Sequence, residues 1–123
     1  MNGNNIIADT SLLINFFNGV AASKRFIEDR TLFVSVITEI ELLSFPNLTA
    51  VGKKLIKSFL EECIIIDLEE EIKEITIELK TKNKLKLPDA IIAATAIRFD
   101  LPLFTMDKDF KKITGLNSVI IEL

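Results

Sequence analysis

Five short apolar runs, separated by longer helical patterns, are the feature that most limits how this chain can fold. Each run has the length of a buried strand, and they occur at Asn5–Ala8, Leu32–Val36, Cys63–Ile66, Leu103–Thr105 and Val119–Ile121. Strands that alternate with helices form βαβ units, whose sheet is mostly parallel and covered by helices on both faces. The length of 123 residues fits one such α/β domain, which we expect to span residues 1–123.

The segments between these runs carry helical signals. Apolar spacing and end signals predict helices at Ser11–Phe17, Val20–Arg30, Ile40–Phe45, Val51–Glu62, Asp67–Lys80 and Asp89–Arg98. Two N-termini resemble capping boxes, with Thr38 three residues before Glu41 and Asp67 three residues before Glu70. The polar segment Thr81–Lys86 is predicted to be a loop within the domain.

Composition excludes several kinds of chemistry. The chain has no histidine, which rules out Ser-His-Asp triads, histidine-based ribonuclease chemistry and histidine-ligated zinc. Its single cysteine, Cys63, rules out an internal disulfide and a cysteine-rich zinc site. A net charge of −3 argues against a protein that coats nucleic acid with a basic surface.

The hydropathy pattern predicts a cytoplasmic protein with no membrane association. No apolar run approaches the roughly 20 residues that a membrane-spanning helix needs. The N-terminal segment also lacks the positively charged region of a signal peptide.

Acidic residues occur where the predicted strands end or the following helices begin: Asp9, Glu41, Asp89, Asp107 and Asp109. Each has a structural explanation, because carboxylates cap helices and favour helix N-termini. Ligands of parallel sheets, however, bind at the carboxyl ends of the strands. Acids that meet there repel one another unless a cation intervenes, and oxygen ligands without His or Cys suit Mg²⁺ or Mn²⁺. The residues alone leave both interpretations open.

Four segments resemble, in order, the sequence motifs of PIN domains. They are residues 7–14 with Asp9, Val34–Leu43 with Glu41, residues 85–96 with Asp89, and residues 101–110 with Asp107 and Asp109. The resemblance extends over the chain from residue 6 to about residue 121. The length of the chain and the residues of its motifs are most similar to those of the VapC-type toxins of toxin–antitoxin pairs. It implies a three-layer α/β/α sandwich with a central parallel sheet. It also implies an Mg²⁺- or Mn²⁺-dependent ribonuclease that is often a homodimer and is inhibited by a cognate antitoxin.

The resemblance also implies the site residues. Carried over position by position, the acidic cluster is Asp9, Glu41, Asp89 and Asp107. We expect Asp9 and Asp89 to be direct metal ligands, with the other two acids completing the set or orienting water. The role of Asp109 is left open, and Thr105 is expected to hydrogen-bond a metal-bound water or a neighbouring carboxylate.

Lysines flank two of these acids in sequence. An acidic nuclease needs local positive charge to hold RNA, since phosphate contacts supply most of the non-specific affinity. Lys84 and Lys86 precede Asp89, and Lys108 follows Asp107, so these lysines are candidate RNA contacts. An ordinary solvated surface explains the same lysines equally well.

Two other functions compete with the nuclease. One is a non-catalytic PIN-like module that binds partners without cutting, which retention of all four acids argues against. The other is an Mg²⁺-dependent phosphoryl-transfer domain. A phosphatase of that kind would have Asp-x-Asp after its first strand, whereas this chain has Asp9-Thr10-Ser11.

Overall fold

The computed structural model of the protein describes residues 4–122, and within them the five predicted strands form one sheet. The strands are β1 (Asn5–Ala8), β2 (Thr31–Ser35), β3 (Ile64–Ile66), β4 (Leu103–Thr105) and β5 (Ser118–Ile120). They lie in the order β3-β2-β1-β4-β5, and every neighbouring pair is parallel. Residues 1–3 and 123 of the predicted domain lie outside the described residues.

Six helices connect the strands: α1 (Thr10–Phe17), α2 (Ala21–Ile27), α3 (Val36–Leu43), α4 (Ala50–Glu61), α5 (Glu70–Lys82) and α6 (Leu87–Phe99). A short 3-10 helix over Lys108–Lys112 follows β4. Within residues 4–122, none of these helices has the length and apolar character needed to cross a membrane.

Alternation along the strands creates two cores, one on each face of the sheet. Ile6 and Ala8 of β1 pack in a cluster with buried residues of α1, α2 and α4. Ile7, between them, packs in a second cluster with buried residues of α5 and α6. Successive side chains of a strand point to opposite faces, so each face of the sheet carries its own helical layer. The predicted three-layer α/β/α architecture is confirmed.

Helix α6 is buried on all sides along most of its length. Its residues 90–96 are all buried, four of them alanines, because the helix packs against the sheet and against α5. Small side chains allow such close approach, and a helix that is apolar all round belongs in a core. This packing holds the first turn of α6, which contains Asp89, in a fixed place beside the sheet.

The strand order produces a crevice at the carboxyl ends of β1 and β4. From β1 the chain moves outward through β2 to β3, and it later returns to the other side of β1 to add β4 and β5. Connections leave in opposite directions at such a switch point, which opens a space above the strand ends. Asp9 directly follows β1, and Thr105 is the last residue of β4.

The predicted capping box at Thr38 is wrong, and so is the predicted helix start at Ile40. Helix α3 begins at Val36, immediately after β2, because the hydroxyl of Ser35 accepts a hydrogen bond from the N–H of Ile37 at 3.2 Å. Thr38 is therefore inside the helix and completely buried. The helix then ends at Leu43, two residues before the predicted end.

The predicted capping box at Asp67 is also wrong. Helix α5 begins at Glu70 with Glu69 at its N-cap, and no side chain caps it. Asp67 lies instead in the connection after β3, where its carbonyl accepts a hydrogen bond from the N–H of Glu69 at 3.0 Å. The C-terminal end of α5 reaches Lys82, so the predicted loop from Thr81 shortens to residues 83–86.

Helix α2 ends at Ile27 rather than at the predicted Arg30. Two residues later Asp29 adopts a positive φ of 60°, a conformation that a right-handed helix does not contain.

Candidate active site

Asp9 is held by three hydrogen-bond donors at the junction of β1, α1 and β4. Its Oδ1 accepts from the N–H of Leu12 at 2.9 Å, which makes Asp9 the N-cap of α1. The hydroxyl of Ser11 lies 2.9 Å from both carboxylate oxygens, and the hydroxyl of Thr105 donates to Oδ2. Each carboxylate oxygen of Asp9 therefore has two hydrogen-bond contacts, with the single hydroxyl proton of Ser11 shared between the two oxygens.

Burial dominates the electrostatics of Asp9. The side chain is only 3% exposed, and burial raises the pKa of its carboxyl from 3.8 to about 6. The hydrogen bonds from Thr105, Leu12 and Ser11 oppose this rise in pKa, and the negative charge of Asp89 adds to it. Asp9 is thus a helix cap and a buried acid at once.

Thr105 links Asp9 to the segment that carries Asp107. Its hydroxyl, fully buried, donates to Asp9 and also accepts from the N–H of Asp107 at 3.0 Å. Of the two partners expected for this hydroxyl, the structure shows the neighbouring carboxylate. Asp107 in turn caps the 3-10 helix, because its Oδ1 accepts from the N–H of Asp109 at 2.9 Å.

Glu41 reaches the crevice from α3 and contacts the first residue of α1. Its Oε1 accepts a hydrogen bond from the hydroxyl of Thr10 at 2.6 Å. The same hydroxyl lies 3.0 Å from the hydroxyl oxygen of Thr38. Glu41 is half-buried, as is Thr10.

Asp89, in the first turn of α6, is the carboxyl whose pKa the other acids affect most. Burial raises the pKa of its carboxyl first, and the negative charges of Asp107 and Glu41 raise it next. Lys86 lowers this pKa, and Asp109 raises it further. The structure therefore brings Asp9, Glu41, Asp107 and Asp109 into electrostatic range of Asp89, although they come from distant parts of the chain. We refer to Asp9, Glu41, Asp89, Asp107 and Asp109 as the acidic crevice.

The donor atoms of the acidic crevice suit a hard divalent cation. They are carboxylate and hydroxyl oxygens, which Mg²⁺ and Mn²⁺ prefer over softer metals. Across residues 4–122, no three acidic or cysteine side chains stand close enough to enclose an ion as they are. Like-charged carboxylates repel one another when no cation lies between them. The case for a divalent cation in the acidic crevice thus rests on the oxygen donors that it offers and on their convergence.

The three candidate RNA-binding lysines differ in their surroundings. Lys86 is the N-cap residue of α6, and its charge acts on Asp89. Lys84 is exposed in the loop before α6, with no ion pair in the described part of the chain. Lys108 pairs with Glu122 at 3.4 Å, so part of its charge is already neutralised.

Three hydroxyl residues, Thr10, Ser11 and Thr38, contact the acids of the site or one another, and the sequence predicts no such contact for them. Thr10 and Ser11 belong to the first motif, and their position directly after Asp9 is the signal that points to them. Thr38 carries a misleading signal, because its spacing to Glu41 resembles a capping box. Its contact with Thr10 joins residues 28 positions apart and cannot be read from local sequence.

The raised pKa of Asp9 predicts a pH-dependent stability difference. Between pH 3.8 and about 6 the folded state binds more protons than the unfolded state, so stability from protonated Asp9 is lost as the pH rises through about 6. Asp9→Asn keeps a good helix cap and does not titrate. We expect the free energy of unfolding of the wild type, minus that of Asp9→Asn, to fall by on the order of 3 kcal/mol across this range.

Urea denaturation in EDTA at a series of pH values measures this difference. Asp67→Asn, which removes an exposed carboxylate outside the crevice, is the control for loss of one negative charge. A difference between wild type and Asp9→Asn that does not change with pH would contradict the raised pKa.

Comparison with known proteins agrees with this geometry. The PIN domain family model matches residues 6–116. No curated protein is significantly similar in sequence. Among solved structures, a toxin-antitoxin complex from Klebsiella pneumoniae contains a chain with 33% identity and a TM-score of 0.82, with 93% of this chain and 95% of that chain covered.

Two more distant structures share the fold. VapBC2 from Rickettsia felis, bound to a DNA fragment from its promoter, has 22% identity and a TM-score of 0.85, with 96% of this chain and 99% of that chain covered. VapC20 from Mycobacterium tuberculosis, a Sarcin-Ricin loop cleaving toxin, has 15% identity and a TM-score of 0.73, with 91% and 98% covered. With four motifs in order, the acidic crevice at the strand ends and these matches, the chain belongs to the PIN-domain family and has the fold of its VapC-type toxins.

Proposed function

We propose that this chain is an endoribonuclease that hydrolyses RNA phosphodiester bonds with Mg²⁺ or Mn²⁺ held in the acidic crevice. The observation that carries the proposal is the field at Asp89, where Asp107, Glu41 and Asp109 all raise the pKa of one half-buried carboxyl. Such an accumulation of negative charge destabilises a fold unless a cation compensates it. Membership of the PIN-domain family supports the same function.

Each acid has a distinct proposed role. Asp9 and Asp89 are the direct ligands, since Asp9 directly follows the central strand β1 and Asp89 stands on the first turn of the buried helix α6. Glu41 and Asp107 complete the ligand set or orient water. The exposed Asp109 contributes through its charge on Asp89. A bound divalent cation would lower the pKa of the attacking water and neutralise charge that develops on the phosphate.

Replacing Asp89 by Asn should abolish cleavage and leave the fold intact. The substitution keeps the shape of the side chain but removes a negatively charged ligand, so we expect the cleavage rate to fall by more than about a hundredfold. The assay is cleavage of a broad RNA pool by purified protein with Mg²⁺ or Mn²⁺, with circular dichroism as the test of folding. EDTA should have the same effect on the wild type.

Asp67→Asn, at an exposed position outside the crevice, is the control and should cleave at the wild-type rate. Full activity of Asp89→Asn would remove this residue from the mechanism. Well-folded wild-type protein that cleaves no RNA with either ion would favour the alternative, a non-catalytic PIN-like binding module. A phosphoryl-transfer domain, the other alternative, is disfavoured by the family match.

We propose that Lys84 and Lys86 hold the phosphates of the RNA next to the crevice. Together with Lys80, Asn83 and Leu85 they line a shallow, open depression at the start of α6. The ammonium group of Lys80 donates to the carbonyl of Leu85 at 2.8 Å, which ties the loop to α5. Lys108 is proposed to contribute less, since its ion pair with Glu122 must open before it binds a phosphate.

Salt dependence tests this lysine assignment. Each lost contact with a single strand should reduce the slope of log affinity against log salt by about 0.7. Lys84→Gln combined with Lys86→Gln should therefore make the slope shallower by about 1.4. The measurement is fluorescence anisotropy with labelled single-stranded RNA, in the Asp89→Asn background to keep the RNA intact.

The control is Lys53→Gln combined with Lys54→Gln, which removes two exposed lysines from α4. An equal change of slope in both double variants would show that only net charge matters, and would refute the assignment to Lys84 and Lys86.

We also propose that the chain is a toxin that forms a homodimer in the cytoplasm and is inhibited by a cognate antitoxin. The matched structures from Klebsiella pneumoniae and Rickettsia felis, described as toxin-antitoxin and VapBC complexes, support the partner. Co-expression with a small protein encoded beside this chain should yield a stable complex with no ribonuclease activity. Analytical ultracentrifugation of the isolated chain measures its molecular mass, which should be that of a homodimer. A neighbouring protein that neither binds nor inhibits would contradict the antitoxin part of the proposal.

A further inference from the structure

We infer that Thr10 is a positioning residue, whose hydroxyl fixes the carboxylate of Glu41 and thereby sets the divalent-cation affinity of the acidic crevice. The inference rests on the proposed function. It is carried by two contacts of one oxygen atom, at 2.6 Å to Oε1 of Glu41 and at 3.0 Å to the hydroxyl oxygen of Thr38.

The Thr10 hydroxyl holds a side chain that would otherwise be mobile. Glutamate has three rotatable side-chain bonds, and fixing such a side chain has an entropic cost. The hydrogen bond from Thr10 fixes one oxygen of Glu41, and a charged acceptor makes such a bond stronger than a neutral one. Oε2 of Glu41 has no hydrogen-bond partner within residues 4–122, so it remains available to a cation.

Thr38 supports the Thr10 hydroxyl from the protein interior. It precedes Glu41 by three residues on α3, so both side chains lie on the same face of that helix. Thr38 is completely buried, which places the hydroxyl of Thr10 between a buried oxygen and the carboxylate. Both oxygens lie within reach of the single Thr10 proton, and the negatively charged carboxylate of Glu41, at the shorter distance, is the stronger acceptor.

The first turn of α1 consequently orients the carboxylates of two acids, Asp9 and Glu41. Asp9 is oriented by the N–H of Leu12 and the hydroxyl of Ser11, both in the first turn of α1. Thr10 stands between them in sequence and orients Glu41 from the same turn. The relative position of Asp9 and Glu41 therefore depends on rigid backbone and not on a direct contact between like charges.

Binding of Mn²⁺ to the antitoxin-free protein, measured by isothermal titration calorimetry, tests this role. Thr10→Val keeps the branched shape and replaces the hydroxyl by a methyl group, so we expect Mn²⁺ to bind on the order of tenfold more weakly, the effect of one charged hydrogen bond. Thr10→Ser restores the hydroxyl and should bind within about threefold of the wild type. RNA cleavage by Thr10→Val should recover at saturating Mn²⁺.

Thr76→Val is the matched control. The hydroxyl of Thr76 is buried in α5 and bonds the carbonyl of Ile72 at 2.7 Å, so its loss removes a buried hydrogen bond away from the acids. Mn²⁺ affinity should be unchanged in this variant. Thr10→Ala is the second test variant if Thr10→Val does not fold, and it should show the same loss of affinity.

The outcomes separate this inference from the proposed function. Wild-type affinity in Thr10→Val or Thr10→Ala, while the wild type binds Mn²⁺, would overturn the role of Thr10 alone. Equal losses in Thr10→Ser and Thr10→Val would also overturn it, because the hydroxyl would then not be the cause. A wild-type protein that binds no Mn²⁺ would overturn the proposed metal dependence and this inference together.

Discussion

The burial of one carboxylate at the end of the central strand organises the rest of the molecule. Asp9 is 3% exposed, and a buried charge is costly unless it is hydrogen-bonded. Its donors come from the first turn of α1 and from the end of β4, so the same carboxylate starts a helix and joins two neighbouring strands. Asp9 is thus a structural junction, and its pKa of about 6 results from burial, which raises the pKa, against the hydrogen bonds of that junction, which lower it.

Helix α6 supplies the opposite wall of the crevice by a different physical means. Its seven consecutive buried residues fix its position by packing, without a capping side chain at its start. Asp89 then benefits from the positive end of the helix dipole while it faces the charges of Asp107 and Glu41. The site thus combines Asp9, which is oriented by hydrogen bonds, with Asp89, which is positioned by the packing of α6. The helices that carry them, α1 and α6, pack in different core clusters.

The sequence predicts the strands well and points to the acids of the crevice, because both are marked by local signals. The apolar run before Asp9 and the Pro-Asp-Ala start of α6 are visible within a few residues. The start of α3 is not, because Ser35 caps it directly at the end of β2 where no loop intervenes. The Thr10–Glu41 bond and the Lys108–Glu122 pair are also invisible, since each depends on tertiary proximity between segments far apart in the chain.

The position of β4 beside β1 also determines when the crevice can exist during synthesis. Ile7 pairs with Leu103, and the bond from Thr105 to Asp9 joins residues 96 positions apart. Contacts of such long sequence separation form late, after the intervening chain is available. In a growing chain that has not yet reached Thr105, β4 is missing, so the edge of β1 next to Asp9 has no neighbouring strand on that side. The crevice can therefore assemble only after synthesis of the chain has passed Thr105.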